Sequence, residues 1–243
     1  MPRVWIGTSG FSYKEWKGDF YPQGLPDQQM LAHYATRFSS VEIDSTFYRM
    51  PAATTLQKWA DATPTEFRFT LKAPQQITHR ERIKVPSEAT AHLTSIVPNL
   101  GLRAGLLCFQ LPPFFRCDVA RLGVFLESLQ VGIRYAFEFR HESWFSPEVY
   151  ALLRRHGVAL CIHDADEGCS PQEITAGAVY VRLRRTRYSV EMREEWRERF
   201  RTWAGSGVEV FAYIKHKDNP DAPRIALEFA EGFSNAVAIP PSA

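Results

Sequence analysis

Glu42 and Asp44 stand two residues apart in the stretch SVEIDSTFYRMP, residues 40–51, alternating with Val41 and Ile43. Alternation at period two is the pattern of a strand, with the two apolar side chains on one face and the two carboxylates on the other. Paired carboxylates on an interior face can move protons, hold a cation or pair with bases. Left alone in an apolar interior they would carry a large desolvation penalty. Other runs repeat the pattern. RFTLKAP groups Arg68, Thr70 and Lys72 opposite Phe67, Phe69 and Leu71, and LLCFQLPP groups Cys108 with Gln110. YAFEFRH groups Glu138 with Arg140, VYVRLRR groups Tyr180, Arg182 and Arg184, and FAYIKHKD groups Tyr213 with Lys215. In LCIHDAD both faces are apolar up to His163 and Asp164, so the pattern leaves open which of these two turns inward.

These residues need a scaffold that presents all the polar faces to one place. Strands are expected at 4–9, 40–46, 67–73, 105–111, 134–140, 158–164, 178–184 and 208–215. Amphipathic helices are expected over 27–38, 118–130 and 190–204, with further helices starting at 52, 87, 147 and 221. Asp118 and Ser146 stand where N-caps belong, Pro147 suits a first helical turn, and Gly157 follows the helix ending near His156. Eight strands alternating with helices make a parallel sheet. Closed on itself, that sheet is an α/β fold of the (β/α)8 TIM-type barrel class. The expected irregularity lies between the sixth and seventh strands, where ADEGCSPQEITAG holds at most one turn of helix. A doubly wound open sheet is the alternative. The 243 residues show no repeat or linker and are expected to form one barrel domain, 1–243.

In such a barrel the all-apolar faces pack on helices and the polar faces point inward. The C-terminal strand ends and the loops after them carry function. Glu42, Asp44, Lys72, His79 and Glu138 are therefore the candidates for catalysis. Tyr13, Trp16, Thr46, Tyr48, Thr78, Gln110, Arg140, His141, Trp144, Arg182, Arg184 and Lys215 are the candidates for ligand binding. Aromatics beside charges at a concave mouth suit a planar or sugar-like ligand. The competing readings are loop-anchoring packing for Trp16 and Trp144, and a structural salt-bridge network for the charges.

Eight arginines and four glutamates lie within RLRRTRYSVEMREEWRERFR, residues 182–201. From Arg193 on they sit three or four apart, as a solvated helix face does. Arg184, Arg185 and Arg187 instead crowd the end of a strand, near where many barrels bind phosphate.

The net charge of +2 is too mild to imply nucleic acid. No apolar run approaches the roughly 18 residues of a membrane span. The N-terminus enters a strand directly, so a cytoplasmic protein is expected. Cys108, Cys117, Cys161 and Cys169 include no C-x-x-C pair, which points to reduced core thiols and not to a cysteine zinc site.

The ordered stretches GTSGFSYKEWKGDFYP, VEIDSTFYRMP, FTLKAPQQITH, FQLPP and EFRHESWF closely resemble domain-of-unknown-function family 72, the YecE-like proteins, from Ile6 to about Phe229. The resemblance implies a TIM-type barrel and leaves activity open, since the family has no settled biochemical function. It places Glu42, Thr46, Tyr48, Lys72, Thr78, His79, Gln110, Glu138, Arg140, His141, Trp144 and Arg182 at characteristic positions. Two departures stand out. Asp44 stands where many members have Asn, and Lys215 and His216 stand where many have an Asn pair.

The expected function is an enzyme acting on a small anionic or phosphorylated ligand, with Glu42 or Glu138 as general acid or base. The first alternative is a metal-dependent phosphodiesterase acting on nucleic acid, with a divalent metal held by His79, His141, His163 or His216 and the carboxylates. No H-x-H or D-x-H pair at the strand ends supports it. A non-catalytic module docking nucleic acid or protein is the next alternative, and a retaining glycosidase is the most distant.

Overall fold

The structure, a computed structural model, describes residues 3–215 and 221–233. His216 and Asp218, two of the loop candidates, lie outside the described residues. Among the described residues nine strands form one sheet: β1 (Val4–Ser9), β2 (Ser40–Ile43), β3 (Arg68–Lys72), β4 (Ala104–Gln110), β5 (Tyr135–Glu138), β6 (Ala159–Ala165), β7 (Gly168–Cys169), β8 (Ala178–Leu183) and β9 (Glu209–Lys215). Eight of them pair in parallel in the ring β1-β2-β3-β4-β5-β6-β8-β9, and β9 closes back on β1. The fold is a closed TIM-type barrel. The short β7 is the exception. It pairs antiparallel with β6, and no helix stands between β6 and β8 among the described residues, which is the irregularity expected there.

The helices are α1 (Met30–Ala35), α2 (Ser45–Tyr48), α3 (Ala53–Asp61), α4 (Glu88–Ile96), α5 (Val119–Glu127), α6 (Pro147–Arg155), α7 (Val190–Gly205) and α8 (Ala222–Ala230). Asp118 caps α5 by accepting from Arg121 N, and Ser146 caps α6 by accepting from Val149 N. Ser87 and Ser189 do the same for α4 and α7. Each satisfies a main-chain donor that the first turn leaves without a partner. Strand β2 is shorter than the alternation predicts. Its last expected residues turn into α2.

Apolar side chains divide into two cores. The larger lies between the strands and the helices and holds Val41, Ile43, Phe69, Leu71, Phe137, Ile162 and Val181. The smaller fills the barrel and holds Trp5, Leu106, Cys108, Ala136, Cys161, Tyr180, Phe211 and Tyr213. The N-terminal end of the barrel is stoppered by stacked cations. Arg3 and Arg68 lie over Trp5, and Arg134 lies over Phe211. Arg68, inward-facing as its parity requires, thus belongs to this end and not to the mouth. Gly7 is required by space, because a Cβ there would come within 2.0 Å of the Ser40 carbonyl oxygen on the neighbouring strand.

Cys108 and Cys161 are buried thiols, as expected of core cysteines, whereas Cys117 is half-buried and Cys169 is exposed.

Candidate functional site

Strand parity carries one polar side chain from each barrel strand into the mouth. They are Ser9, Glu42, Lys72, Gln110, Glu138, His163, Arg182 and Lys215, each at or near the C-terminal end of its strand. This layer rests on the apolar one below it because the inward positions change from apolar to polar in the last turn of the pleat. The change runs from Cys108 to Gln110, from Ala136 to Glu138, from Cys161 to His163 and from Tyr180 to Arg182. His163, not Asp164, is the inward residue of β6. Asp164 faces the helices, where its carboxylate accepts from Trp196 Nε1 at 3.0 Å and from Arg185 Nε at 2.8 Å. Arg185 is thereby committed to a structural contact. Asp164 leaves the set of acids that the sequence offered to the mouth.

Arg182 organises the layer. Its guanidinium is 1% exposed and reaches three carboxylates. Nη2 donates to Glu42 Oε1 at 2.8 Å and to Asp44 Oδ1 at 3.3 Å, and Nη1 donates to Glu138 Oε2 at 2.9 Å. Nη1 also lies 3.5 Å from Gln110 Oε1. Burial works against the Arg182 charge, but Glu42, Glu138 and Asp44 outweigh it and hold the guanidinium protonated. Lys72 Nζ lies 3.3 Å from Asp44 Oδ1 and stacks over the Phe47 ring at 4.6 Å. Arg140 pairs with the other oxygen of Glu138.

The carboxylates are pushed apart. Burial raises the Glu42 pKa from 4.5 to about 7; Arg182 and Lys72 offset part of this, and Asp44 adds to it. For Asp44 burial also raises the value, but Arg182 and Lys72 outweigh it and the pKa falls below the ordinary one. Glu138 is fully buried, yet Arg182 and Arg140 overcome that burial and hold it well below the usual carboxylate range. Glu42 is thus about half protonated near neutral pH while Glu138 and Asp44 stay ionised. Ser9 Oγ donates to Glu42 Oε1 at 2.5 Å, and a hydrogen bond between the Glu42 and Asp44 carboxyl groups helps to lower the Asp44 pKa. His163 Nδ1 and Arg182 Nε are buried and unpartnered. Native interiors leave few polar atoms in that condition.

These residues do not fit a divalent cation. Among the described residues, no three His, Cys, Asp or Glu side chains converge as metal ligands. A guanidinium already takes the place between Glu42, Asp44 and Glu138 that a cation would need. No helix of the described residues is long and apolar enough to cross a membrane.

The family model of the "Protein of unknown function DUF72" matches residues 5–242. The chain belongs to this family. It is 31% identical over 196 residues to the UPF0759 protein YunF of Bacillus subtilis, an alignment covering 75% of this chain and 66% of that one. It is 28% identical over 144 residues to the UPF0759 protein YecE of Escherichia coli, covering 59% and 50%. The chain therefore spans between half and two thirds of the length of these curated relatives. A crystal structure of a DUF72 family protein from Thermotoga maritima superposes with TM-score 0.82 at 28% identity, covering 94% of this chain and 98% of that one. A DUF72 family protein from Enterococcus faecalis gives 0.76 at 19% identity, covering 94% of each chain, and shares the fold.

Within this DUF72 barrel the remaining candidates fall into groups. Glu42, Asp44, Lys72, Gln110, Glu138, Arg140 and Arg182 are brought together, as described above. Tyr13 borders them: its hydroxyl donates to Ser9 O at 2.8 Å, and burial, with Asp44 and Glu42, raises its pKa to about 12. Lys215 ends β9 close enough to lower the Asp44 pKa. Thr46 is a brace, donating to Ile43 O and Lys72 O at 2.9 and 2.7 Å. Thr78 Oγ1 meets His79 Nδ1 at 2.9 Å, and the His79 ring packs edge-on to Phe47, centroids 5.0 Å apart. Burial, aided by Lys72, lowers the His79 pKa. Tyr48 is 75% exposed on the rim. Trp16 is buried against Tyr13, Phe20 and Tyr21. Trp144 is fully buried, stacked on Phe139, with Nε1 donating to Phe115 O at 2.7 Å. Both tryptophans anchor loops from within. His141 caps its own turn by accepting from Ser143 N, and Arg184 N donates to Asp164 O at 2.7 Å. Sequence reasoning missed Phe47, the ring between Lys72 and His79. Phe47 lies in the short α2, and nothing in the sequence STFY signals that its ring will stack beneath a lysine.

Proposed function

We propose that this protein is an enzyme that binds a small anionic or phosphorylated molecule at the C-terminal mouth of the barrel and transfers a proton through Glu42. The observation that carries the reading is the state of Glu42. It is fully buried, its pKa is raised to about 7, and it shares a hydrogen bond with the ionised Asp44 inside a layer of fixed charges. A group that exchanges its proton near neutrality, beside groups that do not, is what general acid–base chemistry requires. The anion preference follows from the charge balance. Lys72, Arg140, Arg182 and Lys215 face Asp44, Glu138 and a Glu42 that is half protonated at neutral pH, so positive charge is in excess. Glu138 is the permanent counter-ion that fixes Arg182. Lys72, paired with Asp44, and Arg140, paired with Glu138, are more accessible than Arg182 and are the cations assigned to the ligand.

Titration calorimetry with inorganic phosphate and with phosphate monoesters, at low ionic strength, tests the binding half. Saturable binding that weakens at least tenfold in Lys72→Met supports the reading. No heat at millimolar phosphate refutes it. For the chemical half, Glu42→Gln should abolish turnover of whichever ester is transformed, with the fold retained.

A further inference from the structure

The alternation that brings Glu42, Lys72 and Arg182 to the mouth brings a different set to the opposite end of the barrel. Arg3, Arg134 and Glu209 each stand two residues before an inward core residue, Trp5, Ala136 and Phe211. Arg68 stands two before Thr70, whose hydroxyl meets that of Tyr213 inside the barrel at 2.8 Å. The three guanidiniums gather over two aromatic rings. The Arg3 and Arg68 guanidinium carbons lie 5.5 and 4.8 Å from the centre of the Trp5 ring. Trp5 stacks on Phe211 with centroids 6.1 Å apart, and the Arg134 guanidinium carbon lies 5.2 Å from the centre of the Phe211 ring.

These cations outnumber the acids beside them. Glu209 pairs with Arg134, whose Nη2 also donates to Ala104 O at 3.1 Å. Arg68 donates from Nη1 to Thr65 O and Phe67 O, both at 2.9 Å, and pairs with no carboxylate among the described residues. Among the same residues the exposed Arg3 guanidinium has neither a hydrogen bond nor an ion pair, only its contact with the Trp5 ring. The crowding is felt at Arg68. Burial, Arg134 and Arg3 lower its pKa, while Glu209 and the exposed Glu66 oppose them. Trp5 itself is 2% exposed, and its Nε1 is a buried donor with no hydrogen-bond partner. Native interiors leave few donors in that condition.

We infer that this end of the barrel is a second anion site, in which Arg3, Arg68 and Arg134 bind inorganic phosphate. The site lies at the far end from the mouth and stands without the reading given above. Three guanidiniums against the Glu209 carboxylate leave two positive charges, and a phosphate group carries about −1.5 to −2 near neutral pH. Guanidinium forks match phosphate oxygens in geometry as well as in charge. Contact with the Trp5 and Phe211 rings holds the three cations together before the anion arrives, which lowers the ordering cost of binding. The N-terminal face of a barrel of this class serves stability and not turnover. The bound phosphate is therefore a clasp. Through Arg3, Arg68 and Arg134 it ties together the starts of β1, β3 and β5, which do not pair with one another.

The test replaces chloride by inorganic phosphate at constant ionic strength. Nitrogen–proton NMR follows the Trp5 indole N–H, assigned by its loss in Trp5→Phe. The expected result is a saturable shift of that signal and a rise in Tm over the same range of phosphate concentration. Arg3→Met and Arg68→Met should each weaken the binding about tenfold or more. Glu209→Gln, which frees Arg134 from its carboxylate, should tighten it, an outcome that a purely structural role for the arginines would not produce. Lys72→Met, at the mouth, should leave this titration unchanged. If Arg68→Met fails to fold, the exposed Arg3 and the wild-type signal decide. An unmoved signal, or a shift that grows without saturating, means an adventitious ion only and overturns the site. An affinity unchanged in Arg3→Met overturns it as well. Calorimetric phosphate binding that Lys72→Met abolishes, with the Trp5 signal unmoved, overturns this site and leaves the mouth as the anion site. A saturable Trp5 shift with no phosphate binding sensitive to Lys72→Met does the reverse.

Discussion

Replacing Glu42 by glutamine should change how stability depends on pH, and the size follows from the structure. In the unfolded chain this carboxyl titrates near 4.5, and in the barrel near 7, because burial disfavours its charge more than Arg182 and Lys72 favour it. The folded protein holds the proton more tightly than the unfolded chain does. The stabilising contribution is therefore complete below about pH 4.5, declines as the pH rises, and is gone above about 7. The span corresponds to about 3 kcal/mol. Glutamine mimics the protonated acid and pays nothing on alkalinisation. The other titrating groups, Glu138, Asp44 and His163, are present in both proteins and largely cancel in the difference. Stability measured by denaturant unfolding from pH 5 to 9 should therefore fall further in the wild type than in Glu42→Gln. The variant should gain about 3 kcal/mol relative to wild type, or about 6–12 °C in Tm for a chain of this size. A difference that stays flat across this range, or that grows in favour of the wild type with rising pH, refutes the burial argument. Carboxyl-carbon NMR of Glu42 offers a direct check, with an expected midpoint of about 7.

Three other perturbations have defined outcomes. Arg182→Met leaves Glu42, Asp44 and Glu138 without their shared cation and should cost about 3–5 kcal/mol at neutral pH; a Tm unchanged from wild type would contradict the role of the guanidinium. Trp196→Phe removes the indole donor to Asp164 but leaves Arg185 in place, so chemical denaturation should show a loss of about 1–3 kcal/mol while phosphate affinity is kept. Trp144→Phe, by removing the donor to Phe115 O, should lower Tm with phosphate affinity unchanged; loss of binding with Tm unchanged would make Trp144 a ligand contact.

Much of this molecule was legible in residue order because its strands are short and alternate cleanly. Val41 and Ile43 against Glu42 and Asp44, or Phe137 against Glu138, set the faces by period alone. Caps such as Asp118 and Ser146 marked the helix starts. Eight strands with helices between most of them left few topologies besides a closed ring. The inward charged set, from Glu42 and Lys72 to Glu138 and Arg182, followed from the same parity once the apolar faces had been assigned to the helices.

Only the tertiary structure decided which charges meet. Arg182 is 140 residues from Glu42 and 44 from Glu138 in the chain, and no local pattern encodes their convergence on one guanidinium. His163 and Asp164 could not be separated by pattern, because β6 is apolar on both faces; β6 takes its facing from its pairing with β5 and β8. Trp16 and Trp144 read equally as ligand platforms or as anchors, since an aromatic beside a charge looks the same in either role until its burial is known. The unequal acidities of Glu42 and Glu138 belong to the assembled barrel as well. Both are fully buried carboxylates acted on by Arg182 and Lys72, and they differ because Glu138 has Arg140 as a further cation while Glu42 has Asp44 as a like charge beside it. Sequence spacing can bring a carboxylate to the mouth of a barrel, but whether it keeps its proton depends on neighbours that only the closed ring supplies.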